Sequence, residues 1–454
     1  MGSVRARVSR SFMGRFQHPA QVVVTGFLLA ILAGTALLSL PASTDSGEPA
    51  RFLDALFTAT SAVCVTGLVA VDTGTHWSTF GHVVIAALMQ VGGLGIMTLA
   101  TLFAVVVSRR VGLRAKLAVQ AETKQLRLTD VRRLVRNVVI FSLVCEAIAT
   151  VVLGVRFMTE YGQPAGRAFY WGAFHAVSAF NNAGFALWPD SLTRYAGDPW
   201  ICLTAAIAVI VGGLGFPVVF ELARGWRRPA AWSILTRVTL GMTAVLLAVG
   251  TTILTLSEWS NARTLGALSS GDRLMAGFFA AVMPRSGGFN TVDTGQMRPE
   301  SLLVTDVLMF IGGGSAGTAG GIKVTTFGLL AFVIWAELRG ETRVNVGHRR
   351  LPEGTQRQAV AIALMAVGFV VTATFALLVM TEHSLDRVLF EVISAFATVG
   401  LSTGITADLP TAGHALLVAL MFVGRIGPLT LGTALALRER TRRYELPEER
   451  PIVG

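Results

Sequence analysis

The sequence predicts an all-α integral membrane protein with eight membrane spans, built from four helix–re-entrant pore loop–helix repeats in one chain around a central pore. Two observations carry this prediction, the composition and a motif that occurs four times. Hydrophobic residues make up 53% of the 454 residues, and charged residues make up only 14%. Soluble proteins carry about 25% charged residues, so this composition is typical of a chain that lies in a bilayer.

Eight long apolar stretches provide the predicted spans. Each is long enough for a helix to cross about 30 Å of hydrocarbon. The stretches lie near 20–40, 82–107, 134–158, 199–222, 235–257, 302–337, 358–381 and 411–437. The first is longer than the apolar core of a signal peptide, so we expect it to be retained as a helix.

The net charge of +11 comes almost entirely from arginine, and the arginines lie in short segments between the apolar stretches. Membrane topology explains this placement, and we expect no nucleic-acid partner. Basic segments follow the second, fourth and sixth stretches and continue in the C-terminal tail. By the positive-inside rule these segments, and both termini, face the cytoplasm.

The predicted order is a cytoplasmic N-terminal segment, repeat 1, a basic cytoplasmic loop, repeats 2 and 3, a second basic loop, repeat 4 and a cytoplasmic tail. Their boundaries are 1–19, 20–110, 111–133, 134–228, 229–338, 339–357, 358–437 and 438–454. The connections after the first, third, fifth and seventh stretches are semi-apolar and too short to cross the bilayer. Such segments are candidates for re-entrant loops.

The four connections share one motif. Segments 57–68, 174–185, 278–289 and 390–401 each begin with Phe and end with a glycine and a large apolar residue. Three of them carry Ser six positions before the glycine, namely Ser61, Ser178 and Ser394, whereas the third segment has Val282. A glycine in one isolated loop could serve only a tight turn or helix packing. Four motifs in register with four helix pairs indicate a fourfold repeat instead.

Such loops can surround one axis and bind a cation there. The negative C-terminal ends of the half-helices would point toward the axis, and backbone carbonyls after them would replace the water around an ion. Unpaired carbonyls at membrane depth are tolerable only where they line a wet or ion-filled path. A receptor-like or purely structural membrane protein leaves these loops unexplained. The chain has no HExxH, GxSxG or paired-carboxylate motif, so we expect no enzyme.

The motifs resemble one known family. VCVTGL at 63–68, NNAGF at 181–185, PRSGGFNTVD at 284–293, ATVGLS at 397–402 and FVGRIGPLT at 422–430 are similar to the Trk/Ktr/HKT superfamily of potassium transporters. The resemblance covers nearly the whole chain. Residues 1–19 leave no room for the additional N-terminal helices of TrkH-type members. The resemblance is therefore to the KtrB-type membrane subunits of bacterial K+ uptake systems. It implies a location in a bacterial plasma membrane.

The resemblance implies that the four loops form a selectivity filter for K+. The implied filter residues are Cys64, Val65, Thr66, Gly67, Asn181, Asn182, Ala183, Gly184, Arg285, Ser286, Gly287, Gly288, Ala397, Thr398, Val399 and Gly400. Superfamily members that favour Na+ often have Ser at the first glycine position, so Gly67 favours K+. Transport of Na+ or ammonium on the same scaffold stays open as the alternative.

The sequence GGGSAGTAGGIKVTT at 312–326 interrupts the sixth apolar stretch, and so many glycines predict a break in the helix. The resemblance implies that this stretch is an intramembrane loop below the filter and acts as a gate together with an arginine of the last span. The implied gating residues are Gly312, Gly313, Gly314, Ser315, Ala316, Gly317, Thr318, Ala319, Gly320, Gly321, Lys323 and Arg425. Two alternatives stay open, a loop that only packs against a helix and an arginine that only holds the fold.

Three other side chains of the loops are expected to have structural roles. We expect Arg285 to bind a nearby carboxylate, because a guanidinium aimed into the pore would repel a cation. Glu391 and His175 lie nine positions before their glycines, and we expect each to form a hydrogen bond with a neighbouring loop.

The glycines of 312–317 formally match G-x-G-x-x-G, but no βαβ context surrounds them, so we expect no nucleotide binding and no cofactor in this chain. The resemblance implies a homodimer on a cytosolic, KtrA-type ring of nucleotide-binding regulatory subunits. K+ is the implied substrate, and Na+ as a coupling or activating ion stays open. The basic segments 109–136 and 339–357 are candidate docking sites, although membrane topology alone would also explain them.

Overall fold

The computed structural model describes residues 19–110, 128–341, 343–346 and 349–427, and nearly all regular structure in these residues is α-helical. In the described residues the strands are β1 (Asn345–Val346) and β2 (Arg349–Arg350), which pair in antiparallel register. The predictions for 1–18, 111–127 and 428–454 lie outside the described residues. They comprise most of the N-terminal segment and of the first basic loop, the end of the last apolar stretch and the tail.

The first part of the chain folds into a long helix, a short helix and a second long helix. These are α1 (Pro19–Leu38), α2 (Phe52–Val63) and α4 (Thr79–Arg110), which pack against one another. A single turn, α3 (Thr73–His76), lies before α4 and begins at Asp72, whose carboxylate accepts a hydrogen bond from the Thr75 amide at 2.8 Å. Such a cap satisfies a backbone donor that a helix leaves free at its start.

The second part repeats this order. It contains α5 (Leu128–Thr159), α6 (Ala165–Phe180), α7 (Pro199–Leu214) and α8 (Phe216–Gly225). The stretch at 199–222, predicted as one span, is two helices, because α7 and α8 meet at an angle of 99°. The helix breaks at Gly215, whose φ of 90° lies in the left-handed region, and Pro217 restricts the next turn.

The third part contains α9 (Ile234–Glu258), α10 (Ser270–Val282), α11 (Pro299–Phe310) and α12 (Val324–Leu338). The apolar stretch at 302–337 is interrupted between α11 and α12, as the glycines at 312–326 predict. The interruption is shorter than predicted at its C-terminal end, since helical structure resumes at 324.

The fourth part contains α13 (Glu353–Met380), α14 (Leu385–Phe396) and α15 (Thr411–Ile426). The helix α15 ends before Gly427, which has a φ of 89°. The remainder of the stretch predicted at 411–437 lies outside the described residues.

The contacts between the four parts close into a ring. In each case the helix that follows a re-entrant segment packs against the short helix of the next part of the chain. The pairs are α4 with α6, α7 with α10, α11 with α14, and α15 with α2. The last pair joins the end of the described chain to its beginning, so the four short helices surround a common centre.

Several helices have lengths and compositions suited to a membrane. Within the described residues, Arg133–Thr159, Ile234–Glu258 and Glu353–Met380 are long and apolar enough to cross one, and the bent pair α7–α8 makes a fourth if it counts as one span. Their outer surfaces expose large apolar side chains such as Leu256, Phe375 and Val379. Apolar surfaces of this extent are typical of contact with lipid rather than water.

Candidate functional site

The four predicted glycines lie shortly after the ends of α2, α6, α10 and α14, where the chain leaves the helix and turns. All four have a left-handed backbone conformation, with φ of 91° at Gly67, 70° at Gly184, 73° at Gly288 and 95° at Gly400. Glycine reaches these angles without the steric cost that a Cβ imposes. The repeated spacing in the sequence therefore coincides with one repeated backbone geometry.

The four glycines also contact one another's loops in a closed cycle. A Cβ on any of them would collide with, or press closely against, the carbonyl oxygen of the residue directly before the glycine of the next loop. The pairs are Gly67 with Ala183, Gly184 with Gly287, Gly288 with Val399, and Gly400 with Thr66. The cycle runs from the first loop through the fourth and back to the first. Four backbone carbonyls are thus brought together, and only glycine fits beside each.

The residues two positions before the glycines share a second unusual geometry. Val65, Asn182, Ser286 and Thr398 have φ of 56°, 59°, 74° and 49°. Positive φ is uncommon outside glycine and costs energy, so it persists only where the surroundings impose it. Left-handed residues that alternate with others along an extended chain turn successive carbonyls toward the same side. Apart from the half-buried Gly400, all residues predicted for the filter are buried.

Serine hydroxyls hold two of the loops. The Ser61 Oγ accepts a hydrogen bond from the Gly67 amide at 3.0 Å, and the Ser394 Oγ accepts one from the Gly400 amide at 3.1 Å. This contact gives a physical reason for Ser six positions before the glycine. In the second loop the Ser178 hydroxyl has no hydrogen-bond partner among the described residues, and in the third loop Val282 has no hydroxyl to offer.

The second and third loops are held by the side chain three positions before the glycine. Arg285 donates to the Thr243 carbonyl at 3.4 Å and to the Thr243 hydroxyl at 3.1 Å, both on α9. The prediction that Arg285 binds a carboxylate is wrong, because α9 presents a carbonyl and a hydroxyl at this place. The equivalent residue of the second loop, Asn181, binds Gln90 on α4 and Glu146 on α5.

Gln90 and Glu146 are not among the residues that the sequence motifs predict for the site. A signal for Glu146 was available, since it is an acidic residue inside the apolar stretch at 134–158, where charges are rare and usually functional. No comparable signal exists for Gln90, which is 91 residues from Asn181 in the sequence.

One side of the glycine ring opens into a cavity of about 600 Å³. All four glycines line it, together with three carboxylates at its wall, those of Asp72, Asp190 and Asp293. The Asp190 carboxylate forms an ion pair with Arg194 at 2.6 Å, while the other two cap short helical turns. The ring is therefore reached through a vestibule whose wall carries carboxylates.

The interruption between α11 and α12 lies on another side of the filter loops. Its base is closed by hydrogen bonds from the Gly312 amide to the Ile322 carbonyl and from the Val324 amide to the Gly313 carbonyl, both 2.9 Å. We call residues 311–323 the intramembrane loop. Its amides also bind the end of α7, where Gly314 donates to the Gly213 carbonyl at 2.7 Å.

The tip of the intramembrane loop touches three of the four filter loops. The Thr318 hydroxyl donates to the Asn182 Oδ1 at 2.6 Å, and the Ser286 Oγ accepts from the Gly320 amide at 3.0 Å. Gly320 also lies so close to Thr398 that a Cβ would collide with the threonine hydroxyl. The tip thus lies directly against the residues that adopt positive φ.

Two cationic side chains, the buried Arg425 and the half-buried Lys323, bind carbonyls of this tip. Arg425 on α15 donates to the Thr318 carbonyl and, at 3.1 Å, to the Gly92 carbonyl on α4. Lys323 donates to the Ala319 carbonyl at 2.5 Å. In the part of the chain that the structure describes, neither cation forms an ion pair with a carboxylate. Among the described residues, the positive charge of both side chains therefore lies beside the loop without a carboxylate partner.

A second set of glycines explains how closely the helices pack around the loops. A Cβ on Gly92, Gly212 or Gly424 would collide with the carbonyl of the last residue of α2, α6 or α14, respectively. These glycines belong to Gly-rich motifs that follow each filter glycine in the sequence. The repeated placement is a feature of the sequence, and the close backbone contact gives its physical reason.

Glu391 and His175 hold the chain after their own glycines. The Glu391 carboxylate accepts hydrogen bonds from the Thr406 hydroxyl and, at 2.9 Å, from the Ser402 hydroxyl. The His175 Nε2 accepts one from the Leu187 amide at 3.3 Å. The expectation of a contact with a neighbouring loop is corrected accordingly, since both side chains brace the return segment of the same loop.

Comparison with known proteins identifies several similar chains. Residues 6–442 match the profile of a family described as "TrkH: Cation transport protein". The chain is 42% identical over 427 residues to Ktr system potassium uptake protein B of Bacillus subtilis, which covers 94% of this chain and 95% of that protein. It is 35% identical over 443 residues to the potassium/sodium uptake protein NtpJ of Enterococcus hirae, with coverage of 96% and 97%.

The fold is similar to the crystal structure of the potassium transporter TrkH from Vibrio parahaemolyticus. The TM-score is 0.72 at 18% sequence identity, and the match covers 91% of this chain and 85% of the other. At this identity the likeness concerns the fold.

Proposed function

The chain belongs to the TrkH family of cation transport proteins, and from this premise we propose that it is the ion-conducting membrane subunit of a K+ uptake system. The family expected from the loop motifs is confirmed, and its members are ion transporters rather than enzymes. K+ is the proposed substrate because the relatives at 42% and 41% identity are named potassium uptake proteins.

The observation that carries this proposal is the closed cycle of glycine–carbonyl contacts. Carbonyl oxygens around one axis can replace the hydration shell of K+, and the C-terminal ends of three short helices lie four residues before their glycines, adding negative potential near the ring. We therefore assign the selectivity filter to 64–67, 181–184, 285–288 and 397–400. The chain itself needs no cofactor for this role.

The four parts of the chain are proposed to be four repeats that together cross the bilayer eight times. The ring of helix contacts and the repeated backbone angles support this arrangement. The vestibule is then extracellular, and the basic segments at 224–228 and 339–357 face the cytoplasm with both termini. The membrane is the plasma membrane of a bacterium.

The intramembrane loop, with Lys323 and Arg425, is proposed to be the gate. Its tip touches the second, third and fourth filter loops, and two positive charges, one buried and one half-buried, accompany it. A cation that leaves the filter would meet both a steric and an electrostatic barrier here. A Gly-rich segment between stable helices can also adopt a second arrangement at low cost.

A homodimer on a cytosolic, KtrA-type nucleotide-binding ring is the proposed assembly, and the segment 339–357 is the proposed docking site. Val344 and Leu351 of this segment are buried against Ala336 on α12, whereas Arg343 and Arg350 are exposed. Deleting the segment would remove that apolar contact, so charge reversal is the cleaner change. The double variant Arg343→Glu and Arg350→Glu should no longer co-elute with the regulatory ring in size-exclusion chromatography.

The control for this prediction is Arg263→Glu, which reverses an exposed arginine in the connection between α9 and α10, on the proposed extracellular side. We expect it to co-elute with the ring as the unaltered chain does. Co-elution of the double variant at the wild-type level would contradict docking at this segment.

A second candidate function is permeation of Na+ together with K+. The name of the Enterococcus hirae relative, a potassium/sodium uptake protein, favours it. Permeation of ammonium through the same scaffold is a further form of this alternative. Only ion competition separates these possibilities, because all of them use the same ring of carbonyls.

The test is Rb+ uptake into liposomes that contain the purified protein, alone and with the regulatory ring, with K+, Na+ and ammonium as competitors. We expect K+ to block uptake and Na+ to block it weakly. Equal block by Na+ or ammonium would replace the K+ assignment by the alternative. No uptake above that of empty liposomes, with and without the ring, would contradict conduction by this chain.

A further inference from the structure

The second filter loop has an anchor that the first and fourth loops lack. Three positions before the glycine, the first and fourth loops have Cys64 and Ala397, and their serine hydroxyls bind the glycine amides instead. In the second loop Asn181 occupies this position, and its side chain is completely buried. Since the Ser178 hydroxyl makes no such bond, Asn181 provides the side-chain anchor of this loop.

The Asn181 amide lies between two parts of the chain. Its Nδ2 donates to the Gln90 Oε1 at 2.7 Å, to the Glu146 Oε1 at 3.2 Å and to the Val177 carbonyl at 3.0 Å. Gln90 is on α4 of the first part, and Glu146 is on α5 of the second. The amide therefore joins the second filter loop to helices of both parts.

The helix α4 packs closely against one side of this amide. A Cβ on Gly93, one of the glycines of α4, would collide with the Asn181 Oδ1. Glycine at this position lets α4 approach the amide closely. The contact lies at the same seam as the Gly67–Ala183 contact, where the first and second filter loops meet.

Burial of the Glu146 carboxylate at this place costs free energy. Only 5% of the residue is exposed, and within the described residues its carboxylate has no cationic partner within 4 Å. It accepts one further hydrogen bond, from the Ser142 hydroxyl at 3.2 Å. A role confined to packing α5 would be served as well by an apolar residue, since buried charges are often no more stabilising than apolar replacements.

We propose that Glu146 is a positioning residue for ion selection. With Gln90 it fixes the Asn181 amide and thereby sets the distance between the first and second filter loops at the Gly67–Ala183 contact. The inference rests on the proposed filter function. A ring of carbonyls can select between ions by the separation of its oxygens. Loss of the anchor therefore changes ion selectivity in a protein that still folds.

The first test compares Glu146→Leu with Glu146→Gln in the Rb+ uptake assay. Leucine removes the acceptor, and we expect Na+ to compete with Rb+ about tenfold more effectively, in line with the loss of a buried hydrogen bond to a charged group. Glutamine keeps an Oε1 acceptor at the same place and should retain the wild-type preference. Loss of preference in both variants would show that charge, not positioning, is the contribution of Glu146 and would overturn the proposal.

The matched control is Ser142→Ala, which removes the other hydrogen bond to the same carboxylate but leaves the bond to Asn181. We expect its ion preference to be that of the wild-type protein. A shift as large as that of Glu146→Leu would indicate a general effect of disturbing α5 and would contradict a specific link to the filter.

Gly93→Ala tests the same anchor from α4 and provides a result if Glu146→Leu does not fold. The added methyl group must displace the Asn181 amide, so we expect the same gain in Na+ competition as for Glu146→Leu. Unchanged preference in folded Gly93→Ala would overturn the inference. The wild-type protein in the same assay separates the two claims. If the proposed function is wrong, the wild-type protein shows no preference for K+. If only this inference is wrong, the wild-type protein and Gly93→Ala both keep the K+ preference.

Discussion

Removal of residues 316–320, the tip of the intramembrane loop, should raise Rb+ flux by roughly thirtyfold. The deletion eliminates the hydrogen bonds from Thr318 to Asn182 and from Gly320 to Ser286, together with the carbonyls that Arg425 and Lys323 bind. The two bonds to the filter loops alone, at about 1 kcal/mol each, bias the closed arrangement by roughly thirtyfold. The base of the loop is retained, because the hydrogen bonds that join Gly312 with Ile322 and Gly313 with Val324 lie outside the deletion.

The measurement is the initial rate of Rb+ uptake per reconstituted protein, without the regulatory ring. The matched control is Thr318→Val, which keeps the length of the loop and removes one of the two hydrogen bonds. For this variant we expect a rise of about fivefold, as one bond of about 1 kcal/mol predicts. Wild-type flux in a folded deletion variant would mean that the loop only packs against α7.

Serine in place of Gly67 should weaken discrimination against Na+ by about tenfold, the effect of losing roughly 1.4 kcal/mol of selective binding. The residue has a φ of 91°, which strains any L side chain, and its Cβ would collide with the Ala183 carbonyl. That carbonyl must move, and the cage that replaces the water of K+ is distorted. The measurement is the concentration of Na+ that halves Rb+ uptake, divided by the corresponding concentration of K+.

Much of the fold and of the filter could be predicted because the relevant signals are local. Each Phe-to-Gly segment lies in one stretch of sequence, and its glycine adopts the left-handed angle that the residue type indicates. The break before α12 was predicted from the glycines at 312–326 for the same reason. Its end at 323 rather than 326 reflects the start of a helix rich in apolar residues, which the Gly-based pattern does not locate.

The contacts between distant segments could not be predicted. The bend at Gly215 had a signal in Pro217, but the contact there had none, since a Cβ on Gly215 would collide with the Ser315 carbonyl of the intramembrane loop. Arg285 binds Thr243, 42 residues away, and Asn181 binds Gln90, 91 residues away. A single sequence carries residue types and local spacing, whereas these partners depend on how the helices pack.

The central claim is that the four glycines line the ion path, and the ratio of Na+ to K+ competition in a set of serine variants tests it most directly. Gly67→Ser and Gly400→Ser alter two members of the ring, whose added Cβ atoms would each collide with a neighbouring loop. Gly404→Ser is the control, since Gly404 lines the same vestibule with a φ of 92° but a Cβ there would meet nothing within 4 Å. It therefore carries the same backbone strain without the contact.

We predict that Na+ competes more strongly with Rb+ uptake in both ring variants than in the wild-type protein. Gly404→Ser should keep the wild-type ratio of Na+ to K+ competition. A wild-type ratio in folded Gly67→Ser and Gly400→Ser, or an equal change in Gly404→Ser, would contradict a filter made by these glycines.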